Sequence, residues 1–503
     1  MQLDFDLSSL QEGRNLMRKA KQAQTLFAGA SQAEVDRVIA AMAEEAQANA
    51  EWLARMAVDE TKIGVFEDKI FKNLFAARDV YNYIKDLKTV GVLSEDPARK
   101  VYEIAAPMGV ILGITPTTNP TSTVIYKCLI SLKSRNSIVI APHPAAARCS
   151  YAAAEVLREA AVRAGAPEGI IGCMTKPTMV ATNELMRHDH TAIILATGGS
   201  AMVKAAYSAG KPAYGVGPGN VPVYIERSAD VRQAVADIMA SKTFDNGTIC
   251  ASEQSILVDR VISAEVKAEL LQQGAYFLKP EETALVNKVL ITRSGGVNPG
   301  LVGRKPDYIA EKCGIDIPAG TRLIVAPLEG VGPEYPLSRE KLSPVIGYYE
   351  EDDWHSACLK CIELLNMGGL GHSLVIHSRN AEVIREFAEK KPVFRILVNT
   401  PAVHGAIGVS TGLVPALTLG CGTWGNNSIS DNVGPLHLIN RKRLAYNLSK
   451  PVQVKVPVQL SNAGVTNEEL TGVTNGAFTR VTNEELTDEV IARVVKQVLA
   501  KMA

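Results

Sequence analysis

The spacing of apolar residues changes character twice along the chain. Between residues 8 and 88 it follows a helical period through stretches rich in Ala, Glu, Lys and Arg. A different pattern begins at Gly109-Val110-Ile111-Leu112-Gly113-Ile114, a short continuous apolar run that predicts a buried strand. Asn119-Pro120 then signals a helix start. Residues 137–141 predict a second strand, and 145–163 an amphipathic helix closed by Gly165. A strand over 192–196 and a helix over 200–208 continue the series. Strand and helix alternating at this interval imply right-handed crossovers and a doubly wound parallel sheet. The alternation resumes over 229–258 and runs less distinctly to about residue 420, which predicts a second α/β unit.

After residue 450 the pattern lapses. Residues 451–480 read as a linker, and the heptapeptide Val465 to Thr471 recurs as Val481 to Thr487. Behind the second copy, Ile491, Val494, Val495, Val498, Leu499 and Met502 fall on one helical face. Arg493, Lys496, Gln497 and Lys501 fall on the other. Thr482 and Glu485 fit a capping box at the start of this helix. Docking into a partner groove and folding back onto its own domain suit the pattern equally.

A length of 503 residues makes two packed domains the natural expectation. Acidic and basic side chains balance at 53 each, so no global field draws nucleic acid, and that partner is not expected. The acidic start, Met1 to Asp6, lacks the basic and apolar regions of a signal peptide. No apolar run approaches the roughly 18 residues of a membrane span. The eight cysteines are scattered and form no disulfide framework, which points to a reducing cytosol. Cys358 and Cys361 make a CxxC without a second pair, so they read as helix packing and no metal is expected.

Four segments carry candidate chemistry. Cys250 lies in Phe244 to Gln254, between a helix and a strand. Most cysteines are small buried hydrophobes. A loop from Asn246-Gly247 into a helix start would present the sulfur and lower its pKa. Asn119 sits after a strand, where open α/β sheets place ligands; it reads as a helix cap or as a donor to an oxyanion. Thr197-Gly198-Gly199 links strand to helix, and suits either a pyrophosphate or tight packing. Gly215 to Asn220 precedes a strand rather than a helix, so it is a poor dinucleotide loop. Its glycines instead let something approach closely.

These segments, in this order, resemble the aldehyde dehydrogenase family, and most closely its CoA-acylating branch, over residues 5 to 450. The specific pieces are Thr115 to Thr121, Ala196 to Gly219, Phe244 to Gln254, Glu340 to Val345 and Leu419 to Gly425. The resemblance implies two Rossmann-like domains: a cofactor-binding one over 1–217, interrupted by arm strands near 93–106, and a catalytic one over 218–425. It also implies an oligomerisation arm over 426–450. Cys250 matches the nucleophile, and Asn119 the oxyanion amide working with the Cys250 N–H. Gly198 and Gly199, with Thr197 and Gly217 nearby, match the turn under the cofactor pyrophosphate. Glu340 matches the residue holding the nicotinamide ribose, Leu342 one packing near the nicotinamide, and Thr115 and Pro116 the adjoining strand end. His143-Pro144 stands where hydrolytic relatives keep a lysine for the adenosine ribose.

One departure is informative. Hydrolytic relatives carry a water-activating glutamate where this chain has Gly215, so a thiol rather than water is the expected acyl acceptor. Glu253 is read as structural. The implied reaction turns a short aldehyde (acetaldehyde or propanal), NAD and CoA reversibly into acyl-CoA and NADH, with NADP, sulfoacetaldehyde and a hydrolytic enzyme releasing the free acid left open. A homodimer or tetramer is implied, with residues 93–106 and 426–446 supplying the arm. Residues 481–503 match the short peptides that take some relatives into bacterial microcompartments, with the shell as partner. No iron-dependent alcohol dehydrogenase domain is expected after residue 450.

Overall fold

The computed structural model describes residues 4–448, and the compact unit they build ends at Tyr446. The linker over 451–480 and the amphipathic helix over 481–503 lie outside the described residues.

The N-terminal helical region is a run of separate helices, including Phe5–Phe27, Gln32–Ala48, Ala50–Thr61 and Phe66–Leu74. Its breaks are local. Ser31 caps the second helix in a capping box, its backbone N–H donating to Glu34 Oε2 at 2.7 Å.

The first two strands, β1 (Val92–Asp96) and β2 (Val101–Pro107), pair antiparallel outside the main layers. A five-stranded parallel sheet follows, from β3 (Val110–Thr115), β4 (Ser137–Pro142), β5 (Ile171–Cys173), β6 (Thr191–Thr197) and β7 (Ala213–Val216), in the spatial order β5-β4-β3-β6-β7. Every residue of β3 and β4 is buried, because helices cover both faces; this is why these strands read as continuous apolar runs rather than alternating ones. A seven-stranded parallel sheet is built from β8 (Val221–Ile225), β9 (Glu253–Asp259), β10 (Ala275–Phe277), β11 (Leu323–Pro327), β12 (Val345–Glu351), β13 (Gly371–His377) and β14 (Val393–Val398). Its order is β10-β11-β12-β9-β8-β13-β14. β15 (Ile439–Ala445) then pairs with β2, so two segments far apart in sequence make one three-stranded sheet. Residues 426–438, assigned to the arm by sequence, are loop and a 3-10 turn rather than strand.

The helix Pro120–Lys133 is buried along its whole length and belongs to a core cluster that also contains Ile111, Leu195, Val223, Ile256 and Val375. One continuous core therefore backs both parallel sheets, and the cleft between their strand ends rests on packed side chains. Cys358 and Cys361 lie buried on the helix Trp354–Asn366, as a packing role requires.

Candidate active site

A cavity of roughly 490 Å³ opens at the carboxyl ends of β3, β4 and β6, where open parallel sheets place their ligands. It is lined by Thr115, Pro116, Asn119, His143 and Pro144 from the first two strand ends. Thr197, Gly198, Gly199 and Gly217 line it from the next, and Cys250, Glu340 and Leu342 from the side of the seven-stranded sheet.

The wall on the five-stranded sheet is built mainly from backbone and small groups. Gly199 immediately precedes the helix Ser200–Tyr207, and a Cβ added there would meet nothing within 4 Å. A Cβ on Gly198 would meet only Met202, at 3.5 Å. Tight strand–helix packing therefore does not explain this Gly pair; an open helix N-terminus facing the cavity does suit a phosphate. The hydroxyls Thr115 Oγ1 and Thr197 Oγ1 are buried without a partner. Unmatched donors beside an open N-terminus fit a polar ligand such as a dinucleotide. His143 stands exposed at the rim, with Nδ1 accepting from Ala145 N at 3.1 Å.

The opposite wall is built from side chains that reach across the fold. Cys250 does not open a helix. It sits in a turn leading into β9, so no helix dipole lowers its pKa. Burial pushes the thiol up to about 12, and the Glu340 carboxylate pushes in the same direction. Cys250 Sγ lies 3.2 Å from Nε2 of His372, a residue that sequence reasoning missed. Buried polar residues inside a strand, Gly371-His372-Ser373 in β13, were the available signal. Burial and the Arg395 guanidinium lower His372 to about 3, so its imidazole is neutral near pH 7. His372 Nδ1 lies 3.1 Å from Ser373 Oγ, which accepts from Arg395 Nε at 3.2 Å.

Asn119 precedes Pro120 at a helix start, yet its side chain caps nothing. Its Oδ1 accepts from Lys72 Nζ at 2.6 Å, and its Nδ2 donates to Thr118 Oγ1 at 3.1 Å. The cap that the Asn-Pro pair favoured is therefore not formed. Gly219 explains its own identity. A Cβ there would stand 2.0 Å from the Cys250 carbonyl oxygen, so the glycine admits the backbone of Cys250. Leu342 is held in the left-handed region at φ 44°.

Gly215 is buried in β7 and donates to Tyr207 Oη at 2.9 Å; a Cβ there would meet Val203 at 2.7 Å. Side chains already fill the place where a carboxylate would start. Glu253 lies behind the site, its Oε1 accepting from Ala402 N at 2.9 Å, and does not line the cavity. Among the described lining residues, Glu340 is the one carboxylate. Burial raises it to about 7, and its Oε1 accepts from Gly219 N at 3.0 Å.

Two layered α/β sheets, a strand-end cavity and a cysteine on its far wall define an enzyme of the Rossmann-like class. Residues 4–279 match the aldehyde dehydrogenase family, and the chain belongs to that family. It is 44% identical over 456 residues to the bifunctional aldehyde-alcohol dehydrogenase of Escherichia coli (strain K12), covering 90% of this chain and 51% of that protein. The chain thus spans about half the length of that relative. An acetylating aldehyde dehydrogenase structure from Geobacillus thermoglucosidasius matches with a TM-score of 0.88 and 52% identity, over 90% of this chain and 99% of that one. A propionaldehyde dehydrogenase from the Clostridium phytofermentans fucose utilisation bacterial microcompartment matches with a TM-score of 0.79 and 29% identity, over 88% and 99%.

Proposed function

We propose that the chain oxidises a short aldehyde, acetaldehyde or propanal, with NAD and CoA to the acyl-CoA, reversibly, through a thioester on Cys250. The observation that carries this is Cys250 Sγ at 3.2 Å from a neutral imidazole, in a cavity shared with Asn119.

In this reading Cys250 Sγ attacks the aldehyde carbon as its proton passes to His372 Nε2. With a thiol held near 12 and an imidazole near 3, a free ion pair is costly. The proton therefore moves as the carbon–sulfur bond forms. Acceptance at Nε2 requires the hydrogen on Nδ1, donated to Ser373 Oγ; Arg395 can only donate to the same oxygen. Asn119 Nδ2 and the Cys250 N–H stabilise the oxyanion. A nicotinamide dinucleotide, when bound, supplies the two-electron acceptor. Gly198, Gly199, Thr197, Thr115 and Pro116 would hold its phosphates and adjoining ribose, Glu340 its nicotinamide ribose, Leu342 its ring, and His143-Pro144 its adenosine end, with Gly217 beside them. Oxidation of the adduct leaves the thioester, and the CoA thiol then takes the acyl group from Cys250.

CoA rather than water is the acceptor because side chains occupy the space at Gly215 and Glu253 is turned away. The acetylating relative supports this choice. Glu340, raised to about 7, favours the one competing reading, in which it activates water and free acid is released.

The working division is a cofactor domain over 1–217 and a catalytic domain over 218–425. The sheet of β1, β2 and β15 would be the arm of a homodimer or tetramer. The microcompartment neighbour supports residues 481–503 as a targeting peptide for a shell lumen. The deciding assay is NADH production from an aldehyde panel, with and without CoA. Production that needs CoA, and disappears in Cys250→Ala, is expected; equal production without CoA would establish the hydrolytic reading.

A further inference from the structure

The helix Phe66–Leu74 buries two lysines one turn apart, Lys69 and Lys72, each only 2% exposed. Both reach the carboxylate of Asp245, itself fully buried, in the loop just before Cys250. Burial pushes that carboxyl up, but the two ammoniums outweigh it and hold Asp245 below its ordinary value. With Asp68, whose Oδ2 accepts from Asp245 N at 2.7 Å, the cluster sets two lysines against two carboxylates, and burying so many charges is a poor structural choice unless they have other work.

Its hydrogen bonds show where that work lies. Lys69 Nζ donates to the Thr118 carbonyl at 2.7 Å. Lys72 Nζ donates to Asp245 Oδ2, to Thr248 Oγ1 at 3.1 Å and to Asn119 Oδ1 at 2.6 Å, which uses all three of its hydrogens. Thr248 is two residues from the nucleophile, and Thr118-Asn119 carries the oxyanion amide. The cluster thus ties together the two segments that must meet the same carbonyl.

An ammonium has no lone pair, so it accepts only the oxygen end of a side-chain amide. A flipped Asn119 would set Nδ2 against Nζ, donor against donor, inside a buried cluster. We infer that Lys72, anchored by Asp245, is a positioning residue that locks the Asn119 amide with Oδ1 turned away from the cavity and Nδ2 turned toward the reacting carbonyl. One Nδ2 hydrogen goes to Thr118 Oγ1 at 3.1 Å, which leaves the other for the oxyanion. The ring of Phe244, 5.5 Å from Nζ, closes off another side of the ammonium.

This inference rests on the oxyanion role proposed above for Asn119, and a double-mutant cycle tests it. Loss of an oxyanion donor costs about 100- to 1000-fold in kcat, so Lys72→Met is expected to lower kcat at least ~30-fold. The KM for aldehyde should stay within about twofold. Alkylation of Cys250 by iodoacetamide should proceed at the wild-type rate, because the thiol itself is untouched. In an Asn119→Ala background the same Lys72→Met change should cost less than ~2-fold, since the amide it positions is gone. An equal loss in both backgrounds, or alkylation falling together with kcat, overturns the inference. Should Lys72→Met fail to fold, Thr248→Val removes one of the three acceptors and keeps the ammonium. It should cost a few-fold, again only when Asn119 is present. CoA-independent turnover by the wild type would sink the acylating reading alone, because both reactions pass through the same oxyanion.

Discussion

The two walls of the cavity are made differently. On the five-stranded sheet the ligand-facing groups are strand-end hydroxyls, two glycines and a helix N-terminus, each placed by the turn it belongs to. On the other wall the contacts join residues distant in sequence: Cys250 to His372 across 122 positions, Lys72 to Asp245 across 173. The first wall leaves backbone open at Gly198 and Gly199, which suits a phosphate. The second orients a few reactive atoms with buried charges and imposes their protonation states. Recognition can therefore be local, whereas the reacting geometry is a property of the whole fold.

Breaking the second wall should cost the most. His372→Ala is expected to lower kcat by ~100- to 1000-fold with a small change in the KM for aldehyde, as loss of a positioned base does; pre-steady-state NADH formation measures it. A loss under about tenfold would remove His372 from the proton path.

The second test sharpens the electrostatic side of the comparison. A thiol raised to about 12 carries little thiolate at neutral pH, and that fraction grows roughly tenfold per pH unit until the pKa is reached. Iodoacetamide alkylation of Cys250 in the free enzyme should therefore keep accelerating from pH 7 to pH 10. A plateau below pH 8 would mean that a lowered thiol pKa had been achieved after all.

The mildest effect belongs to the first wall. At Gly199 a Cβ meets nothing within 4 Å, so Gly199→Ala should fold with an unchanged melting temperature. It should raise the KM for the dinucleotide about tenfold, with kcat within about twofold, because the methyl blocks the close approach of a pyrophosphate. An unchanged KM would move the phosphate elsewhere.

Much of the architecture was legible in the chain. The strands at 110–115, 137–142 and 191–197 and the helices Pro120–Lys133, Ala147–Arg163 and Ser200–Tyr207 stand where apolar runs and turn residues put them, whereas β5, β7 and the helix Met179–Arg187 carry no such signal. Buried parallel strands announce themselves by composition, and helix ends by local hydrogen bonds. The cavity also gathers the strand-end residues that the motifs marked. Local rules failed where a distant partner overruled them. Asn119 before a proline is an ordinary cap by sequence, but Lys72 takes its oxygen. Asn246-Gly247 promised a helix start that would acidify Cys250. The chain enters β9 instead, and burial moves the thiol the opposite way.

Beside what the family resemblance added, such as the missing carboxylate at position 215, the sequence by itself determined the longer strands and helices of the five-stranded sheet and the glycines that leave backbone open. Those depend on a residue's own conformational freedom and on neighbours a few positions away. Only the tertiary structure decided that His372 faces the thiol, that Asp245 gathers two lysines, and that the Asn119 amide is turned by one of them. Electrostatic energies depend on distance and burial in three dimensions, and neither is encoded in spacing along the chain.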